Sequence, residues 1–168
     1  YPGVPVQLAP THFVAVAGLG LDATDYSAAD PAVAKKLGIF GYNRQTKVSD
    51  IKDGPENTIA LLMVPASTKT PWLAGGGSTV RGISDDPKDG DILQAFVCVK
   101  YEGKDGTYAI MGDGKVRFIA RDMNPALFRA LCTINGGEKI LDLDKIAPEV
   151  PLTGGPATLV NDPAGGVN

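Results

Sequence analysis

The sequence predicts an α+β domain: an antiparallel sheet of about five strands, with one main helix at about 124–135 packed on it. Three observations carry this. First, Thr107–Ala120 alternates on both sides of Gly112-Asp113-Gly114, with Tyr108 and Ile110 sharing a face on one arm. Val116, Phe118 and Ala120 share one on the other arm, opposite Lys115 and Arg117. Glycine reaches positive φ without steric cost and Asp tolerates it, so the pattern reads as a β-hairpin with one buried face. Second, Asn124 suits an N-cap, Pro125 a first helical position, and Gly136-Gly137 a stop, while Leu127, Phe128, Leu131 and Ile134 fall on one helical stripe. Third, 21 glycines and 13 prolines in 168 residues favour many turns and short strands over long helices.

Taken in order, residues 1–10 form an extended arm, because Pro2, Pro5 and Pro10 block a helix. His12–Ala17 is a short apolar run and reads as a buried strand. Asp30–Gly38 carries an N-cap, a proline at the first helical position and a closing glycine, which predicts a helix of about two turns. Asn57–Val64 lies between Pro55 and Pro65 and has the unbroken apolar character of a central strand. Pro65–Asp91 is a long, turn-rich loop, in which Trp72 is expected to pin the loop to the core rather than bind a ligand. Ile92–Tyr101 reads as another strand leading to the hairpin, and Ile140–Ile146 as a short apolar segment. The globular domain spans 11–147, followed by a Pro/Gly-rich tail at 148–168 that is either laid on the surface or disordered.

Composition narrows the function classes. A formal charge of −3 with scattered Lys and Arg offers no basic stripe for nucleic acid. No apolar run approaches the roughly 18 residues that span a bilayer. The chain opens at Tyr1 without a methionine, which suits a processed product or a fragment. Cys98 and Cys132 both have apolar neighbours. Two readings stay open for them: buried free thiols, or a disulfide of an oxidising compartment.

Little of the sequence carries chemistry, and the expectation is a protein that is not an enzyme, with no catalytic residue and no cofactor. Gly18-Leu19-Gly20-Leu21-Asp22-Ala23 matches a dinucleotide fingerprint, which makes a small nucleotide-binding enzyme the second alternative function. Asp22 and Asp25 would repel a pyrophosphate there, and a glycine-rich loop after a strand is the favoured reading. His12, the sole histidine, heads an apolar strand without a nucleophile motif. The acid pairs Asp50/Asp53, Asp85/Asp86, Asp89/Asp91 and Asp142/Asp144 suit turns. Calcium is the alternative ligand, with Asp50 and Asp53 as candidates, although no EF-hand spacing occurs. A calcium- or carbohydrate-binding surface module that uses Trp72 is therefore the first alternative function.

Three blocks resemble one family. Thr11–Gly18 is similar to a strand and glycine of that family. Gly38–Gly41 with Val48–Ile59 (VSDIKDGPENTI) resembles its Ile-Thr-Asp-Gly-Thr-Ser-Asn-Thr signature, and Gly112–Ile119 (GDGKVRFI) its Asp-Gly-Ser-Val-Arg-Phe-Ile block. Pro71-Trp72 resembles a Pro-Trp of the same family. These are pilin-like (pseudopilin) proteins, abundant in planctomycetes, whose C-terminal domain of unknown function carries a His-x9-Asp-Gly motif. Here Gly103 stands at the motif's histidine position, so that position cannot do what the histidine does. The resemblance covers roughly Thr11–Ile146. It implies a pseudopilin-head-like fold, exported to the cell surface, periplasm or medium, acting as a structural or interaction subunit. Protein partners in a homo- or hetero-oligomeric filament or envelope complex follow from the same resemblance.

Overall fold

The hairpin forms where the alternation places it. In the computed structural model, which describes residues 9–68, 71–151 and 157–159, strand β5 (Lys104–Met111) turns back into β6 (Val116–Ala120). Gly114 takes φ 85°, and the Asp113 carboxylate accepts the Lys115 N–H at 3.0 Å, so the turn uses its residues as their types suggest. The expectation of one buried face is corrected. Ala109, Met111 and Ile119 face the main core, while Tyr108, Phe118 and Ala120 build a second cluster with Tyr101 on the opposite face. Arg117 is only 5% exposed: its Nη1 donates to Asp144 Oδ1 at 2.8 Å and to the Ala147 carbonyl at 2.7 Å. A buried guanidinium costs much unless it is bonded, and Asp144 of α2 (Leu143–Ile146) and the helix's C-cap Ala147 supply those two bonds.

The fold is α+β as expected, and among the described residues its sheet has seven strands, mixed rather than antiparallel throughout. The other strands are β1 (Phe13–Leu19), β2 (Ile59–Met63), β3 (Val80–Ile83), β4 (Val99–Tyr101) and β7 (Ala157–Leu159). Their order is β3-β1-β2-β5-β4-β7, with β6 on the far edge of β5. The parallel pair is β1 with β3. Gly82 makes that approach possible, since a Cβ there would stand 1.8 Å from the Gly20 carbonyl oxygen. As the apolar run Asn57–Val64 implies, β2 is central, between β1 and β5. β5 is long enough to take two neighbours on one edge: β2 along Ala109–Met111 and β4 along Lys104–Gly106. β2 and β4 therefore diverge from a fork.

Helix α1 (Pro125–Leu131) is capped as foreseen, with Asn124 Oδ1 accepting from Ala126 N and Leu127 N, but it ends short of 135. The chain leaves the helix because Ile134 N bonds to the Leu37 carbonyl at 2.9 Å, a partner outside the helix. Ile134 then packs with Leu37 and Ile51 instead of continuing the stripe. Phe128 and Leu131, both fully buried, press against Val14, Val16, Ile59 and Leu62 of the sheet. Full burial of a Phe side chain stabilises by about 2–3 kcal/mol.

Other elements depart from expectation. Asp30–Gly38 is a run of turns, not a helix, although Asp30 Oδ1 does accept the Ala32 N–H at 2.9 Å. So short a segment gains too few intrahelical bonds to meet the cost of helix nucleation, and its buried end, Leu37, is held by pairing with Gly18 instead. Only Val99–Tyr101 of the expected Ile92–Tyr101 strand is extended. Gln94–Phe96 makes a 3-10 turn that puts Ile92, Leu93 and Phe96 into the core, with the Phe96 ring 6.3 Å from that of Phe128. Trp72 does not pin its loop, because it is 57% exposed. Cys98 and Cys132 are free thiols in separate packing clusters, so the disulfide is not formed. Sheet structure also continues past residue 147, since Pro148–Val150 lies along β6 and β7 along β4. Expectations for residues 1–8, and for the tail at 152–156 and 160–168, lie outside the described residues. Among the described residues no helix is long and apolar enough to cross a membrane.

Candidate functional site

Several of the residues singled out in the sequence gather at the two ends of β5. At one end the Val48–Ile59 block meets the hairpin turn and the segment after α1. Asp53 reaches across: Oδ2 accepts from Gly136 N at 2.7 Å and Oδ1 from Gly137 N at 3.0 Å. The Ile134 carbonyl accepts from Lys52 N at 2.6 Å. Thr58, fully buried, donates its hydroxyl to the Gly54 and Thr133 carbonyls at 3.0 and 3.3 Å, and its own carbonyl accepts from Gly112 N at 2.7 Å. Gly112 must be small here, because a Cβ would lie 2.9 Å from the Pro55 oxygen. The signature-like residues therefore form a hydrogen-bonded knot that ties three segments together.

This knot uses the calcium candidates for structure. Asp53 spends both oxygens on backbone amides, and Asp50 Oδ2 accepts from Lys47 N at 2.8 Å. Among the described residues no group of three His, Cys, Asp or Glu is placed to share a metal ion. Asp113 lies exposed on the turn. Gly103, at the position of the motif's histidine, sits in the β4–β5 turn with φ 81° and open space around it. Gly103 and Asp113 thus flank the eight residues of β5, a strand of about 26 Å, and do not converge on one site.

The Gly18–Ala23 loop is also occupied by the chain itself. Only a three-residue 3-10 turn, Ala23–Asp25, follows it, where a pyrophosphate site would need a helix N-terminus. A Cβ on Gly18 would stand 2.0 Å from the Lys36 oxygen, so this glycine serves close backbone packing. Asp22 Oδ1 accepts the Tyr26 hydroxyl at 2.7 Å, and this hydrogen bond, aided by burial, pushes the phenol up to about 12. Arg44 spreads its guanidinium over the carbonyls of Ala17, Ala23, Tyr26, Gly38 and Phe40. No sequence signal marks it, since an Arg in a polar stretch looks like an ordinary surface residue.

At the other end, the fork between β2 and β4 opens a cavity of about 730 Å³. Met63, Val64, Pro65, Val97 and Cys98 give it an apolar floor, and Asp105 and Arg121 stand on its wall. Thr107 bridges the fork by donating to the Met63 carbonyl at 2.8 Å, with Cys98 Sγ at 3.8 Å from its hydroxyl. Burial pushes the Cys98 thiol up, against the smaller opposing pull of Thr107, which is the wrong direction for a nucleophile. His12 also lines the cavity, but it is exposed. No family model, curated protein or solved structure matches this chain.

Beside the fork the sheet takes on a distant segment. β4 closes on β5 through a two-residue turn, Glu102-Gly103, both at positive φ (48° and 81°). Its outer edge then pairs antiparallel with β7, in the register Val99↔Leu159, Lys100↔Thr158 and Tyr101↔Ala157.

Proposed function

We propose that this chain is a non-catalytic structural and interaction module of an extracytoplasmic assembly, and that its working surface is the outer edge of β4. The observation that carries the reading is the β4–β7 pairing: an edge that accepts a short extended segment through main-chain bonds is built for strand addition. Val99 and Tyr101, both buried, anchor that edge against Phe118, so the acceptor is rigid. The extracytoplasmic setting, protein partners and a pseudopilin-like head rest on the three resembling blocks.

A reversible lock tests the reading. The double variant Lys100→Cys/Thr158→Cys places a thiol pair across the register, where antiparallel Cα spacing suits a disulfide. If partners enter by displacing β7, oxidation abolishes both self-association in light scattering and partner capture from envelope extracts, and reduction restores them. A chain that stays monomeric and captures nothing, or captures equally when locked, overturns the proposal.

A further inference from the structure

We infer that the occupant of the β4 edge in the assembly is the 157–159 strand of a second copy, so that copies join by exchanging their C-terminal strands; this rests on strand addition at β4. Each chain carries both halves of the junction, the acceptor Val99–Tyr101 and the donor Ala157–Leu159, in a register that a second copy reproduces residue for residue. Complementarity to self is thus built into the sheet and needs no other partner.

The energetics favour exchange as a low-cost event. Among the described residues β7 pairs with β4 and with no other strand, so β4 is the strand pairing that a donor leaving one sheet gives up. It regains the same bonds on the neighbour, and the net cost is set by concentration and by the connecting segment. That connection carries Gly154, Gly155 and Pro156 directly before β7. A three-residue strand is also short enough to release its edge readily. β7 lies at the end of the strand order, while β6 at the other side of β5 is already covered by Pro148–Val150. The exchange is head-to-tail if each copy donates to the next, and reciprocal if two copies donate to each other.

The test mixes two single-cysteine full-length chains, Lys100→Cys and Thr158→Cys, one of them bearing a mass tag, under mild oxidation, and maps the crosslinks by mass spectrometry. Exchange predicts a heterodimer linked 100–158 that grows with total concentration. A mixture of Thr158→Cys with Glu56→Cys, an exposed site at the knot, gives the background. Free Cys98 and Cys132 are buried, and the mapping separates any product through them. If the Lys100→Cys/Thr158→Cys double variant closes within one chain while the mixture stays at background, the exchange is overturned and strand addition at β4 stands. If neither links, β7 does not pair with β4, and both readings fall.

Discussion

The two ends of β5 are built on opposite plans. At the knot, Asp53, Thr58 and Gly112 satisfy backbone groups from three segments at 2.7–3.3 Å. At the fork, two strands part over a cavity of about 730 Å³. Its wall carboxylate, Asp105, has one buried oxygen that meets no hydrogen-bond donor among the described residues, and Lys100 Nζ stands 3.4 Å away, outside hydrogen-bonding geometry. The contrast teaches that the glycine- and acid-rich blocks most suggestive of chemistry serve cohesion here. The less conspicuous end is where the sheet admits another strand.

Thiol labelling should separate the ends most sharply. Cys132, fully buried just after α1, has its thiol pushed far up by burial, whereas Cys98 lines the cavity. At pH 8 a small alkylating reagent should modify Cys98 at least about a hundredfold faster than Cys132, which reacts only through global opening. Equal rates would show the fork to be as closed as the knot.

A matched pair of carboxylate substitutions comes next. Asp53→Ala should cost about 2–3 kcal/mol in urea unfolding, because two charge-assisted bonds to backbone amides vanish together. Asp105→Asn should stay within about 0.5 kcal/mol, since its pair with Lys100 is loose and partly exposed. Reversal of that order would break the comparison.

The smallest effect lies outside both ends. Tyr26 has its folded pKa raised, so the stability from its bond to Asp22 is present below pH 10 and is lost as pH climbs towards about 12. Spectrophotometric titration of Asp22→Asn should bring the Tyr26 transition back towards 10.0, with little change in stability at neutral pH.

Periodicity exposed the hairpin, the central strand and the capped start of α1, because alternation and caps are local signals. It did not expose the parallel β1–β3 pair, which depends on Gly82 letting two backbones touch. Ile92–Phe96 reads as strand because a short apolar run fits a turn as well as an extended segment; in the fold, the 3-10 turn at Gln94–Phe96 carries the Phe96 ring to Phe128. The knot was half legible. Val48–Ile59 and Gly112–Gly114 stood out as blocks, yet nothing in one dimension says that Asp53 bonds to Gly136. Nor did Arg117, alternating with Phe118 on a strand, announce that α2 would bury it. Trp72 misled because its area argued for burial, and its loop leaves it in solvent.

Arg44 carries a consequence for the order of assembly. All five carbonyls it gathers precede it, the most distant being that of Ala17, 27 residues earlier. Every group in the clasp therefore lies within residues 17–44, upstream of β2, β3 and the hairpin. The loop that follows β1 owns a fastener of its own, one that needs no residue beyond Arg44.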